Sequence, residues 1–115
     1  MNDPLRQAFE SELLAASEAS KVAHYDGSFH QLERAHIISQ RFTVRHVRVH
    51  WHMLKYAVAR RRPHEVLGQL VRIVAAALFS RIWVPVGNTG GANVSATRRM
   101  PIPDDLRCLL EKHKA

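Results

Sequence analysis

Glutamate and histidine residues recur in this sequence at spacings that allow one helix to hold a metal ion. Glu33 and His36 are three residues apart, and His46 and His50 are four residues apart. Residues at these separations share one face of an α-helix, so each pair can direct both side chains toward the same point. Glu-x-x-His and His-x-x-x-His pairs bind metal ions in helical proteins in this way. The spacing therefore predicts a transition-metal site.

The residues around these pairs indicate that both pairs lie on helix faces that pack inside the protein. The inner stripe of the second predicted helix reads Phe29, Leu32, Glu33, His36, Ile37 and Gln40. The inner stripe of the third predicted helix reads His46, Val49, His50, Met53, Leu54 and Ala57. An ionised carboxylate is costly to bury alone, so Glu33 needs a cation, a set of hydrogen-bond donors or a proton.

Polar residues on the other predicted helices extend this set. Glu12 lies inside the apolar stripe of the first helix, and Glu65 lies in the first turn of the fourth. We therefore predict six metal ligands from four helices, which are Glu12, Glu33, His36, His46, His50 and Glu65. Three further residues are predicted to orient these ligands or to balance their charge, namely Gln40, Gln69 and Arg72.

The predicted ligand set narrows the choice of cofactor. Neutral imidazole combined with carboxylate suits zinc, iron, manganese or nickel. Six groups are enough for two ions, because carboxylate-bridged ion pairs occur in helical bundles. No nucleotide cofactor is expected, since residues 87–91 lack the Lys-Ser/Thr pair of a phosphate-binding loop. The pattern assigns no catalytic residue and leaves open whether the protein is an enzyme.

Two alternatives to the metal site remain open from the sequence. In the first, Glu33 pairs with a nearby histidine or arginine in a buried network that binds no metal. In the second, the protein is a non-enzymatic interaction module that binds nucleic acid or an acidic partner. Its basic surface would be the outer face of the third helix, with Arg41, Arg45, Arg48 and Lys55. Few aromatic residues accompany this stripe, so a solvated basic surface is favoured.

The elements that must position these residues are helices. Apolar residues recur at helical spacing over five segments, at about residues 4–23, 29–40, 44–60, 63–79 and 104–112. We predict an all-α, four-helix bundle-like domain with a short fifth helix. A turn is expected at residues 25–28, with Ser28 as a helix cap, and the apolar run 73–79 predicts a central fourth helix. The glycine- and proline-rich residues 81–103 predict a loop laid over the bundle, with positive φ at its glycines.

Length and composition set the outer limits of the interpretation. The chain has 115 residues, of which 46% are hydrophobic and 23% charged, and this suits one globular domain over residues 1–115. A formal net charge of +7 permits an anionic partner without identifying one. The single cysteine fits a reducing compartment, and no segment has the pattern of an export signal or a membrane span. We therefore expect a cytoplasmic protein, whose oligomeric state the sequence does not specify.

The sequence also resembles a family of small bacterial proteins named domain of unknown function 3703. The resemblance is carried by five segments, LERAHI (32–37), HVRVHWHML (46–54), EVLGQ (65–69), PVGNTGG (85–91) and MPIP (100–103). It extends from about Phe9 to Leu110 and implies a bacterial source and a compact helical domain. It also implies that the six predicted ligands belong to the family's pattern. It implies no activity, substrate or catalytic residue.

Overall fold

The computed structural model describes residues 1–113, and within this range the chain forms five α-helices and no β-strand. The helices are α1 (Asp3–Lys21), α2 (Tyr25–Ser39), α3 (Thr43–Ala59), α4 (Pro63–Phe79) and α5 (Asp104–Lys112). The predicted all-α fold is confirmed. In the same part of the chain, no helix combines the length and the hydropathy needed to span a lipid bilayer.

The helices pack as two pairs that are joined through α2 and α3. Helix α1 packs along α2, α3 packs along α4, and α5 lies against α2. Leu5, Phe9 and Leu13 form one buried stripe of α1, because a four-residue spacing keeps side chains on one helix face. Together with α2 and α3 they enclose the main hydrophobic core, whose most buried side chains include Phe9, Ile38, Val49 and Met53.

The connection between α1 and α2 differs from the prediction. Residues 25–28 are the first turn of α2, and the chain turns just before them, where Ala23 has a positive φ of 59°. The expected capping role of Ser28 is wrong, because its hydroxyl donates to the backbone carbonyl of Ala16 at 2.8 Å. This bond to α1 satisfies the buried hydroxyl of Ser28. A residue type that favours turns can therefore lie within a helix here.

The expected central position of α4 is also wrong. Its packing partner among the helices is chiefly α3, and its buried side chains are Gln69 and Ala76. A stripe of large apolar residues on its opposite side is exposed, with Leu67, Leu70, Val71, Val74 and Leu78 between 48% and 64% accessible. The apolar run therefore does not mark a helix enclosed on all sides. The side of α4 that faces the protein interior carries small and polar residues instead.

Residues 81–103, here called the C-terminal loop, are irregular and lie against α2 and α4. The side chain of Gln40 at the end of α2 joins it twice, donating to the carbonyl of Pro85 and accepting from the N–H of Gly87, both at 3.1 Å. The expected positive φ is found at Gly87 and Gly90, with values of 81° and 88°, but not at Gly91. A side chain at Gly87 is also excluded by space, since its Cβ would lie 1.8 Å from the carbonyl oxygen of Met100.

Candidate metal centre

Three buried histidines from two helices meet at one point. His36 belongs to α2, and His46 and His50 belong to α3, with exposed fractions of 3%, 6% and 2%. The Nε2 atom of His36 lies 2.9 Å from that of His46 and 3.1 Å from that of His50, and the latter two are 3.1 Å apart. Within residues 1–113 they form the one group of three or more His, Cys, Asp or Glu residues close enough to share an ion. We call this group the histidine triad.

The second ring nitrogen of His36 is held by the C-terminal loop. Its Nδ1 atom lies 2.7 Å from the backbone carbonyl oxygen of Asn88. A carbonyl oxygen can only accept a hydrogen bond, so this nitrogen carries the proton and donates it. In a neutral imidazole the Nε2 atom then has a free lone pair.

The second ring nitrogen of His50 is held by a side chain of α4. Its Nδ1 atom lies 2.6 Å from Oε1 of Gln69. The amide nitrogen of Gln69 donates to a carboxylate oxygen of Glu65 and to the carbonyl of Gly90, both at 2.9 Å. Because both of these groups are acceptors, the amide cannot be reversed, and its oxygen must face His50. His50 therefore donates from Nδ1 and also presents its Nε2 lone pair to the triad.

The second ring nitrogen of His46 meets the end of α4. Its Nδ1 atom lies 2.8 Å from the hydroxyl oxygen of Ser80. That hydroxyl donates its one proton to the backbone carbonyl of Ala76, so it accepts from the imidazole. His46 consequently has the same tautomer as the other two histidines. A proton on each Nδ1 atom, held by an outer partner, is the arrangement found around metal-binding histidines.

Burial keeps the triad unprotonated at neutral pH. Desolvation lowers the pKa of His46 to about 4. Desolvation, reinforced by the charge of a protonated His46, lowers the pKa of His50 to about 3. The pKa of His36 is also well below its ordinary value, chiefly through desolvation. Three neutral nitrogens with facing lone pairs and no shared proton repel one another, and a cation between them removes that repulsion.

The spacing of the three nitrogens fits a transition-metal ion. Because the three Nε2 atoms are 2.9–3.1 Å apart, one ion could contact all of them at the metal–nitrogen distance of about 2.1 Å that is usual for imidazole ligands. With three protein ligands the ion would retain at least one open coordination position, as in catalytic rather than structural zinc sites. The triad could therefore hold a metal ion.

The structure does not bring the predicted carboxylate ligands into the triad. Glu12 instead accepts a hydrogen bond from Nε of Arg34 at 2.9 Å, and Arg34 also pairs with Asp105. Glu33 has a side chain that is 21% exposed and lies 3.7 Å from His30. Its pKa is raised, chiefly by desolvation. Glu65 accepts from Gln69, as described, and from the backbone N–H of Ala92 at 2.8 Å.

The three predicted supporting residues lie near the triad in different roles. Gln69 bonds directly to His50, and Gln40 fastens the C-terminal loop to α2. Arg72 donates to the carbonyl of Gly68 at 3.1 Å and to the carbonyl of Val94 at 2.8 Å. Its positive charge also contributes to the lowered pKa of His36 and His50.

Two partners of the triad, Ser80 and Asn88, were not anticipated from the sequence. A signal for Ser80 was present in α4, where Gln69, Arg72, Ala76 and Ser80 follow one another at helical spacing on an otherwise apolar helix. Asn88 had no comparable signal, because it acts through its backbone carbonyl. Its position depends on Gly90, whose φ of 88° suits glycine and whose Cβ would lie 2.6 Å from Cδ2 of His36.

The basic residues of α3 occupy a different surface. Arg48 pairs with Glu10, and its guanidinium carbon lies 5.7 Å from the ring centre of Phe9. Lys55 is exposed and Arg45 is partly buried, whereas Arg41, which was expected on this helix, is exposed and precedes α3. Because Arg48 is neutralised by its partner, it adds little free charge to the stripe. Binding of nucleic acid or an acidic partner at this face stays a prediction.

A comparison with known proteins identifies the family of this chain but no individual relative. A family described as "Protein of unknown function (DUF3703)" matches residues 3–110 of the chain, which include the whole histidine triad and its partners. No curated protein and no solved structure gives a match. Because the match covers nearly the whole length, the chain belongs to the family described as "Protein of unknown function (DUF3703)".

Proposed function

We propose that this protein binds one divalent transition-metal ion through the Nε2 atoms of His36, His46 and His50. The observation that carries the proposal is the position of the six ring nitrogens, from which one shared tautomer of the three rings follows. Each Nδ1 atom donates to a separate acceptor, and the three Nε2 lone pairs face one another at 2.9–3.1 Å inside the protein. A cluster that binds no metal would be more stable with a hydrogen bond between two of these Nε2 atoms. The acceptors at the Nδ1 atoms oppose that hydrogen bond, because they hold the one proton of each neutral ring on the other nitrogen.

The ligand chemistry favours some metals over others. Neutral imidazole suits zinc, iron, nickel and copper, whereas manganese prefers carboxylate and water oxygens. Since the triad supplies no carboxylate or thiolate, manganese is the weakest candidate of the predicted metals, and zinc, iron and nickel fit better. The site adds no negative charge of its own, so a bound ion would keep its full charge and attract an anion or a hydroxide to its open position.

The proposal is tested by metal stoichiometry in protein purified without a histidine tag. After chelation and dialysis, the wild-type chain is expected to take up one cobalt or zinc ion, measured by elemental analysis and by the visible spectrum of the cobalt form. His36→Ala and His50→Ala should each weaken binding by more than the ~10–100-fold that loss of an outer hydrogen bond costs.

Two histidines outside the triad provide matched controls. His30 is exposed and His52 is partly buried, and neither belongs to the cluster. His30→Ala and His52→Ala should leave both stoichiometry and affinity unchanged. The proposal is wrong if the wild-type chain stays metal-free with zinc, cobalt, nickel and ferrous iron, or if the control variants lose metal as readily as the triad variants.

A further inference from the structure

A cavity of about 320 Å³ lies beside the histidine triad. All three histidines line it, together with buried Ser80 and Asn88. Exposed residues also line the cavity, among them Phe79, Trp83 and Thr97. The cavity therefore connects the triad with the protein surface, and its volume is at the lower end of the range for pockets that hold small organic ligands.

Apolar side chains form most of the remaining wall of this cavity. They come from the second half of α4 and from the start of the C-terminal loop, and include Ala75, Ala76, Phe79, Trp83, Val84 and Pro85. Such a wall favours a ligand with an apolar body, because burying that body removes apolar surface from water. Inorganic anions and water alone would gain nothing from these contacts.

One polar group in the wall lacks a partner. Arg72 lines the cavity, and its Nε atom is the single buried side-chain nitrogen or oxygen without a hydrogen bond in the part of the chain that the structure describes. The other two nitrogens of the guanidinium are occupied by the carbonyls of Gly68 and Val94. A buried donor without an acceptor is unfavourable, so a small turn of the Arg72 side chain that brings Nε to an acceptor in the cavity would be stabilised.

The charge balance of the site points to the same kind of ligand. A divalent ion on three neutral imidazoles and the guanidinium of Arg72 together place three positive charges around one end of the cavity. Glu65 offsets one of these charges, because it attracts Arg72 and its own hydrogen-bond partners Gln69 and Ala92 are neutral, so two positive charges remain. An anionic ligand entering the cavity would offset this charge, and a carboxylate oxygen is a strong acceptor for the single charge-assisted hydrogen bond that Nε of Arg72 can donate.

We infer that the cavity binds a small organic carboxylate, with its carboxylate group between the metal ion and Arg72 and its apolar body against the wall from α4 and the C-terminal loop. The inference rests on the proposed metal site for the ion. The histidine triad, the guanidinium of Arg72 with its unpartnered nitrogen and the apolar wall are three separate features of this one cavity, and a single ligand class satisfies all of them.

Benzoate serves as the probe, and the chain offers two independent readouts. Trp51→Phe leaves Trp83, in the cavity wall, as the only tryptophan of this 115-residue chain. In the cobalt-loaded protein, benzoate should change both the emission of Trp83 and the visible spectrum of the cobalt ion, with the same saturation curve. Benzamide, which lacks the charge, and acetate, which lacks the apolar body, should each bind at least about tenfold more weakly. Equal binding of benzoate, benzamide and acetate would overturn the inference.

Two variants test the location. Arg72→Ala should weaken benzoate binding by about tenfold or more, and Arg81→Ala, an exposed arginine outside the cavity lining, should not. Because Arg72 also holds the C-terminal loop, Ala75→Phe provides a second variant. The larger side chain at this exposed wall position should fill the cavity and block benzoate, while cobalt uptake stays at one ion.

The outcomes distinguish the metal site from the carboxylate site. Absence of cobalt uptake refutes the metal site, whereas full uptake without a response to benzoate, or unchanged binding in both variants, refutes only the carboxylate site.

Discussion

Each histidine of the triad depends on a different chemical group for the position of its proton. His36 uses a backbone carbonyl, His46 a hydroxyl, and His50 the amide oxygen of Gln69. The Gln69 amide is the most constrained of these partners, because both of its N–H groups are engaged by Glu65 and Gly90. The predicted ligand Glu65 is thus connected to the triad only indirectly, through Gln69.

Replacement of Gln69 tests whether that positioning matters. In Gln69→Leu, His50 loses the acceptor for its Nδ1 proton, so we expect cobalt affinity to fall by about 10–100-fold with stoichiometry retained. Gln69→Glu keeps an acceptor oxygen for His50 but places its second oxygen against the acceptors Glu65 and Gly90, so it should recover only part of the affinity. Gln7→Leu, at an exposed site of α1, is the matched control. Competition with a chelator measures all four proteins, and equal affinity in Gln69→Leu and wild type would contradict the assigned role.

Helix phase explains how much of the site could be predicted from the sequence. The four-residue spacing of His46 and His50 on α3 correctly implied two imidazoles on one buried face. Glu33 and His36 differ by three residues, which places them ~60° apart around α2. That rotation leaves His36 buried and Glu33 at the edge of the packed face. Sequence spacing therefore limits the candidate metal ligands to one half of a helix surface. Which residues of that half reach the site depends on neighbours that are distant in the chain.

The same limit applies to α4, whose apolar run gave the wrong position for the helix. Hydrophobic periodicity cannot tell which side faces the interior when apolar residues surround most of the helix. The side that faces the interior is the side that carries the hydrogen-bond acceptors of the triad, because Gln69 and Ser80 both accept hydrogen bonds from its histidines. The partner carbonyl from the C-terminal loop could not be foreseen, because any residue type supplies one.

A matched pair of valines tests the orientation of α4. Val74 on α4 is 58% exposed, whereas Val49 in the core is fully buried. Val74→Gln should change the free energy of unfolding by less than about 0.5 kcal/mol, as is usual for surface substitutions. Val49→Gln, the same chemical change, should destabilise by ~2 kcal/mol or more, because it buries an amide in an apolar site. Urea unfolding measures both, and a large loss in Val74→Gln would contradict the exposed position.

At the scale of the whole molecule, the triad links stability to pH. Folding removes three imidazoles from water and keeps them neutral, with pKa values of about 4 for His46 and about 3 for His50. In the unfolded chain these groups take up protons near their ordinary pKa of about 6.5. The unfolded state therefore binds more protons than the folded state below that pH, and the stability of the metal-free protein falls as the pH decreases.

The metal-free protein should show this loss between about pH 6.5 and pH 4. Each triad histidine contributes at most ~1.4 kcal/mol per pH unit, so the three together give a slope of up to about 4 kcal/mol per pH unit. Urea unfolding in the presence of a chelator at pH 7, 6 and 5 measures the slope. In His50→Leu the slope should decrease by about one third. A wild-type stability that does not change between pH 7 and pH 5 would show that the three imidazoles are not buried in neutral form.

The backbone contact between His36 and the C-terminal loop limits how the site could be transplanted. The carbonyls of Asn88 and Gly90 reach the triad region because the chain passes it with two glycines in left-handed conformations. Grafting the three imidazoles onto another helical bundle would carry over the ligands without the groups that orient them. The ligands and the groups that orient them extend from His36 to Gly90, and so span α3, α4 and the start of the C-terminal loop. A designer who wants this site must borrow almost half of the chain.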